Sequence, residues 1–362
     1  MRLSHATLAA VISPFLRGLR GQGVATSWRY RTLPTVLMTL GTAGLTCLAL
    51  AYGKAALAKP IAGSEVKISV LQGNIERDRK WDFKYARWIL QTYADMTLEA
   101  SKDHPKLIIW PEAATPQAIN LNAQVNAQVR DIAAKAGTHL LIGSTHHEKL
   151  STKASGELKF ANSVFLISPD KETKNQKHDK IRLLPFGEYL PMKDKIPWSY
   201  IGVPDIGNYI PGKEFTVFDG PSFRFGVAIC WESIFPDLIR EFVKRGAQVI
   251  INSTNEGWFG ETAPYQFLAW NVFRAVENRA YVVRCANTGI SCFIDPYGRI
   301  VDRVKDKEGR DIHIRGVLTS TIIPLESKTF YTRFGDWPVW LGFAVSAGLL
   351  LLAFLRKKPE QK

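Results

Sequence analysis

The sequence predicts an α/β layered sandwich held between two membrane-spanning helices, and three observations predict it. Strand-like runs with almost no polar alternation recur along the middle of the chain. Amphipathic helical stretches separate them. Two uncharged apolar runs bracket the whole. Strands without polar alternation have no wet face, so their sheets are covered on both sides, here by the intervening helices.

The first apolar run, Leu33 to Gly53, has 21 residues and measures about 31 Å as a helix. The second, Trp337 to Leu355, has 19 residues and measures about 28 Å. Each matches a hydrocarbon core of roughly 30 Å. The expected organisation is therefore a basic arm (1–32), a transmembrane helix (33–53), a water-soluble domain (62–336), a second transmembrane helix (337–355) and a basic tail (356–362). A cleaved signal peptide is the competing reading of the first run, because Ala56 to Lys59 ("ALAK") offers a small-x-small site. The run exceeds the roughly 7–15 residues of such a core, and the arm before it is long, so anchoring is expected.

Charge gives the orientation. Of the formal +14, the arm carries +5 (Arg2, Arg17, Arg20, Arg29, Arg31) and the tail +3, which leaves +6 on the domain. Cations beside membrane spans stay on the cytoplasmic side, so the domain is expected on the opposite face. No basic stripe interleaved with aromatics exists to bind nucleic acid. Of the four cysteines, Cys47 lies in the first span and Cys230, Cys285 and Cys292 in the domain. An odd number there predicts at least one free thiol. Cys285 and Cys292 read as small buried hydrophobes.

Within the domain, strands are expected over 66–72, 106–110, 139–145, 163–168, 223–230, 247–254, 281–285 and 291–296. Helices are expected over 85–101, 126–137, 235–246 and 266–280. The stretch from Phe186 to Phe215 has no periodicity, and a structureless connection of that length is usually a lid or a binding loop. It carries Trp198, Tyr200, Ile201 and Ile210, side chains suited to a membrane interface. Adjacent His146 and His147 would point to opposite faces of a strand, which argues against a shared metal.

In α/β sheets, reactive groups gather beyond the carboxyl ends of strands. Glu112 follows "LIIWP", Cys230 ends "FRFGVAIC", and Lys180 lies between a strand and the long loop. A thiol of ordinary pKa is mostly protonated at neutral pH and needs a base or a cation nearby. Glu112 supplies the base, and Lys180 stabilises first a thiolate and then an oxyanion. Together they suit acyl transfer through a thioester. Each also has a plainer reading, as a core thiol, a helix-start carboxylate and a solvated lysine.

"LQGNIERDRKWD", "IIWPEAATP", "HDKIRLLPFGEYLP", "AICWESIFPD", "NSTNEGWFG" and "ENRAYVVRCANTGIS" follow one another in an order that resembles the nitrilase (carbon–nitrogen hydrolase) superfamily. "LLPFGEYLP", "NEGWFG" and "FYTRFGDW" look like its apolipoprotein N-acyltransferase branch. The resemblance spans about residues 66–337 and the closing span. It implies a four-layer αββα nitrilase-like sandwich with flanking transmembrane helices. It places the Glu–Lys–Cys triad on Glu112, Lys180 and Cys230, with Glu188, Glu232, Trp81, Asn162 and Trp231 as supporting residues. Glu232 is expected to orient the lysine or to shape the turn that presents the thiol; a first-turn helix carboxylate is its plainer role.

The resemblance further implies an enzyme on the periplasmic side of a bacterial inner membrane, with no cofactor. A phospholipid would be its acyl donor and the α-amino group of a lipoprotein's cysteine its acceptor. The chain departs from that branch in having one clear span before the domain, Trp231 where tyrosine is usual, and Glu256 where aspartate is usual. Conjugal transfer proteins of the TraB type look similar too. An amidase with the same triad and a non-catalytic assembly factor are the other functions compatible with the sequence.

Overall fold

A computed structural model describes residues 25–149, 158–170, 172–203, 209–326 and 328–355. Most of the basic arm and all of the basic tail therefore lie outside the described residues. Residues up to Ile61 form one unit, and those from Ala62 onward the other.

The first unit contains the helix Ala25–Leu57, which is 33 residues long and so extends beyond the predicted span at both ends. Within it Met38–Leu57 is long and apolar enough to cross a membrane, as is Trp337–Leu355 in the second unit. Among the described residues, nothing covers either apolar surface: Leu40, Leu45 and Leu48 are exposed on one, and Leu350, Leu352 and Phe354 on the other. Two helices of this length and composition mark a membrane-associated protein.

Among the described residues, the second unit holds twelve strands. They are β1 (Val66–Gln72), β2 (Leu107–Ile109), β3 (His139–Lys149), β4 (Leu158–Ile167), β5 (Gln176–Asp179) and β6 (Val217–Asp219). β7 (Arg224–Ile229), β8 (Val249–Thr254), β9 (Tyr281–Ala286), β10 (Cys292–Ile294), β11 (Ile300–Arg303) and β12 (Gly316–Ile322) complete them. They form two six-stranded sheets, ordered β12-β1-β2-β3-β4-β5 and β11-β10-β9-β8-β7-β6. In the first sheet β1, β2 and β3 run parallel; in the second, β7, β8 and β9 do. Antiparallel strands flank both parallel centres.

Alternation along the central strands explains the layering. Leu71, Ile108 and Leu140 face outward and pack with Ile89, Tyr93 and Met96 of the helix Ala86–Ser101 and with Val125 and Val129 of the helix Ala123–Ala136. Asn122 caps that second helix by accepting from Val125 N at 3.0 Å. On the other sheet, Ala228, Ile250 and Val282 pack with Ile239 and Phe242 of the helix Pro236–Lys244, and with Leu268 and Ala275 of the helix Ala263–Asn278. The alternate residues, Val70, Ile109, Ile251 and Val283, are also fully buried and point the opposite way. The two sheets meet there: the Cys285 thiol reaches Leu71 O at 3.4 Å and Ile109 O at 3.3 Å across the gap. The order helix, sheet, sheet, helix is the four-layer αββα sandwich. Burial pushes the Cys285 and Cys292 thiols up to about 12, as expected of structural hydrophobes.

Candidate active site

The parallel centres of the two sheets deliver two of the site's groups, and the antiparallel edge strand β5 the third. Glu112 lies just beyond β2, Cys230 just beyond β7, and Lys180 just beyond β5. Each sits where the backbone leaves its strand, so three separate turns converge on one small space.

The Glu112 turn is set by a close approach. Its backbone lies so tightly on β3 that a Cβ at Gly143 would fall 2.4 Å from Pro111 O and 2.6 Å from both Ala113 N and the Glu112 Cα. Only glycine fits there. Ala114 N then bonds Gly143 O at 2.8 Å, and Ala113 takes a left-handed φ of 47° to complete the turn. The carboxylate is aimed by two donors: Asn162 Nδ2 at 2.7 Å from Oε1 and the Asn255 backbone N–H at 2.7 Å from Oε2. The Lys180 ammonium stands 3.6 Å from Oε1.

Lys180 is almost fully buried, and its Nζ donates to Glu188 Oε1 at 2.9 Å. Glu188 in turn accepts from Asn162 Nδ2 at 2.9 Å and from Leu184 N at 2.7 Å. Asn162, on β4, thus ties the two carboxylates together from one nitrogen, and its own carbonyl receives Lys180 N at 2.7 Å. Burial works against the Lys180 ammonium, but Cys230, Glu112, Glu188 and Glu232 outweigh it, and the amine is held above its usual range.

Cys230 is 5% exposed and sits at a left-handed φ of 58°. For a residue with a Cβ that conformation costs about 1–2 kcal/mol, so the neighbours must enforce it. Glu232 does so. One of its oxygens accepts Ile229 N at 2.7 Å, and the other accepts Ile181 N at 2.7 Å and Arg182 N at 2.8 Å. The same carboxylate therefore ties the cysteine turn to the backbone of the segment that leaves Lys180. Burial raises Glu232 to about 7, with its backbone N–H partners and Lys180 pulling the other way. From below, Asn252 Nδ2 donates to Ala228 O and Cys230 O, each at 3.0 Å. Burial pushes the Cys230 thiol up, and Glu112 adds to the effect, against Lys180 and Thr254. The thiol is a resting S–H that needs an adjacent base to react.

The cavity these residues line, about 70 Å³, also has Trp81, Tyr209, Trp258 and Phe259 in its walls. Trp81 is half-exposed and forms part of the rim. Trp231 does not line this space. Its indole N–H donates to Arg182 O at 2.8 Å and its ring packs edge-on against Phe235. It supports an adjacent groove of about 520 Å³, which also includes Ile181, Leu183, Tyr189 and Tyr209. Tyr209 belongs to both spaces, so the groove abuts the cysteine cavity.

Four further side chains at or behind the site escaped the sequence reading. Lys80, in a short charged run, is buried, and its Nζ donates to Glu112 O at 3.0 Å. Asn252 supports the cysteine turn, and Arg284 holds Asn252 Oδ1 at 2.6 Å. Arg284 also forms a fully buried ion pair with Glu256. Tyr209 is the fourth. An arginine inside the apolar run "YVVRC" was the available signal for a buried pair.

The model of the family described as carbon-nitrogen hydrolase matches residues 67–324, most of the chain. The chain belongs to the carbon–nitrogen hydrolase family. It carries that family's catalytic domain and is related to apolipoprotein N-acyltransferases. The apolipoprotein N-acyltransferase of Geobacter metallireducens is 36% identical over 316 residues, 86% of this chain and 58% of that protein. That of Chlorobaculum tepidum is 33% identical over 81% of this chain and 58% of its own length. The chain thus spans rather less than two thirds of the curated relatives it matches. Among solved structures, the amidase of Nesterenkonia AN1 from the nitrilase superfamily superposes with a TM-score of 0.56 at 16% identity, over 78% of this chain and 98% of that one. Saccharomyces cerevisiae Nit3, of branch 10 of the nitrilase superfamily, gives 0.53 at 21% identity, over 74% and 93%. These two likenesses concern the fold.

Proposed function

We propose that this carbon–nitrogen hydrolase relative is a membrane-anchored N-acyltransferase. It takes an acyl chain from a phospholipid onto Cys230 and passes it to the α-amino group of a lipoprotein's cysteine. The observation that carries the reading is the convergence of Glu112, Lys180 and Cys230 within a chain that has membrane-length helices on both sides of its domain. The relatives named apolipoprotein N-acyltransferase support acyl transfer to an amine of an apolipoprotein.

In the first half-reaction Glu112 accepts the Cys230 proton as sulfur attacks the donor's ester carbonyl. The tetrahedral oxyanion forms beside the Lys180 ammonium and the backbone N–H that follows Cys230. Collapse breaks the ester C–O bond, and the lysophospholipid oxygen leaves with the proton held on Glu112. In the second half the acceptor amine attacks the thioester, Glu112 takes the amine proton, and the thiolate leaves and recovers that proton. Glu188 and Asn162 keep Lys180 and Glu112 in register throughout. No step calls for a cofactor. An amidase would differ in the second half only, with water as nucleophile.

The domain faces the periplasm in this reading, which the arginine-rich arm and the basic tail support. The test is mass spectrometry of Cys230 in protein purified from membranes, with and without an amine-bearing diacylglyceryl-cysteine peptide. An acyl adduct that the peptide discharges as an amide is expected, and Cys230→Ala should abolish it while the chain remains folded. An adduct that water removes as fast as the peptide does would point to a hydrolase instead. Activity of an alkaline phosphatase fused near residue 330 would check the orientation.

A further inference from the structure

We propose that Lys80 is a positioning residue for the thiol chemistry, holding the Glu112 turn by its peptide carbonyl and supplying a second positive charge beside the base that Cys230 needs. The inference rests on the triad reading above but not on the identity of donor or acceptor.

The charges of the cavity leave a place for it. Glu112 and Glu188 are both buried there, and Lys180 gives its direct hydrogen bond to Glu188, 2.9 Å away, standing farther from Glu112 at 3.6 Å. The donors in contact with the Glu112 carboxylate are the neutral Asn162 amide and Asn255 N–H. One lysine against two carboxylates leaves the space net negative, which opposes the formation of a thiolate there. Lys80 restores the balance.

Its setting is unlike that of a solvated lysine. Residues 77–79 beside it are exposed, whereas Lys80 turns inward and is buried. Its Nζ donates to Glu112 O at 3.0 Å and lies 5.9 Å from the centre of the Trp81 ring on the rim. Burial lowers its amine to about 8, with the charge of Glu112 pulling it back up. The ionisable residue it touches is thus Glu112, whose carboxylate stands 3.6 Å from Lys180, itself bonded to Glu188, while Glu232 anchors the cysteine turn. A cation kept in such a place at a cost in desolvation needs a compensating role. Favouring the anionic sulfur is one the geometry provides.

The experiment follows the rate at which iodoacetamide alkylates Cys230 in the detergent-solubilised full chain, between pH 7 and pH 10. With Lys80→Met the rate at pH 7.5 should fall about tenfold, as expected for removing one nearby opposite charge. Lys80→Arg should stay within about threefold of the parent. The ratio of parent to Lys80→Met should then shrink toward one as pH rises past 8, because the parent's own Lys80 loses its charge there. At pH 10 Lys80→Arg, still charged, should react faster than the parent. A side chain that merely fills space would give a ratio independent of pH, and that outcome would overturn the proposal.

If Lys80→Met fails to fold, the coupling can be read from the other side. Acetylation of Lys80 by acetic anhydride, followed by peptide mass spectrometry, should titrate at lower pH in Glu112→Gln than in the parent, since coupling between two sites is reciprocal. An unchanged midpoint would equally overturn it. Neither measurement uses lipid, so failure of the acyl-donor reading would leave both intact.

Discussion

The space around Cys230 and the outer face of the loop that runs from Phe186 to Phe215 are built on opposite principles. Around the cysteine every reactive group is buried and answered by at least one donor or acceptor. In the loop, by contrast, Phe186, Met192, Tyr200 and Ile201 expose large apolar surface. Among its described residues, regular structure amounts to a short 3-10 turn, Trp198–Ile201, and isolated bridges from Tyr209 to β4 and from Tyr189 to Pro185 just before the loop. Chemistry demands fixed geometry to within a fraction of an ångström, whereas capture of a lipid demands apolar surface that is not already satisfied. Glu188 and Tyr209 turn the inner side of the same loop toward the cysteine cavity, so fixed geometry and exposed apolar surface share one segment.

The largest break in that contrast comes from two glycines. Gly143 lies against the Glu112 turn, while Gly202 ends the 3-10 turn of the loop, where an added Cβ would meet no atom within 4 Å. Gly143→Ala must push the Glu112 backbone aside. Overpacking of this kind costs about 1–3 kcal/mol, and a shift of about 1 Å at the base lowers turnover roughly 100-fold. Gly202→Ala carries only the strain of its φ of 76°, about 1 kcal/mol, and should leave Cys230 alkylation within about twofold. Parallel assays of acyl-adduct formation and thermal melting check both. Similar losses in the two variants would erase the distinction drawn between site and loop.

The middle effect concerns stability under acid. His178, on β5 two residues before Lys180, is buried against Phe242, and burial lowers its imidazole to about 4. In the unfolded chain the same group titrates near 6.5. Between those values the unfolded state binds more protons, so stability rises with pH through this window and is lost as pH falls from 6.5 to 4. The contribution is on the order of 3 kcal/mol. His178→Phe should flatten this part of the pH–melting curve in detergent while leaving the loop's exposure to protease unchanged. A curve as steep as the parent's would show that other groups govern acid unfolding.

Much of this was legible in the sequence, for identifiable reasons. The central strands were readable because burial on both faces writes itself as uninterrupted apolar runs, and β1 was delimited to the residue. β12 was not seen, because it pairs with β1 across some 250 positions of chain and its intermediate burial leaves no such run. The edge strands β5, β6 and β11, three or four residues each, are too short to show a period. Glu112, Lys180 and Cys230 were found from their places beyond strands and from ordered motifs, and the geometry brings them together. Trp231 was placed in the site but supports the groove beside it. Lys80 escaped because "RDRK" reads as a solvated charge run, and burial of one member of such a run is decided by contacts far along the chain.

The smallest effect is expected from the loop itself, and it sharpens the comparison most. Trp198 and Ile210 are only half-buried, yet both are tied to the domain: the Trp198 indole donates to Pro191 O at 2.8 Å and packs edge-on against Phe186, while the Ile210 backbone N bonds Phe160 O on β4. They hold the loop to the domain. Tyr200 and Ile201 are the outward pair, 89% and 64% exposed. Replacing both with serine removes little packing, so melting temperature and the alkylation rate of Cys230 should stay near the parent's. If these side chains dip into a bilayer, each contributes up to about 1.5–3 kcal/mol of apolar burial, of which a fraction is realised at an interface. Acyl-adduct formation from phospholipid vesicles should then slow by roughly three- to tenfold, corresponding to about 0.7–1.4 kcal/mol. Reaction with a water-soluble short-chain thioester should be unaffected, because it never requires the loop to meet a membrane. Equal slowing of the two donors would make the loop a part of the catalytic scaffold, and slowing of neither would assign lipid capture to the flanking helices.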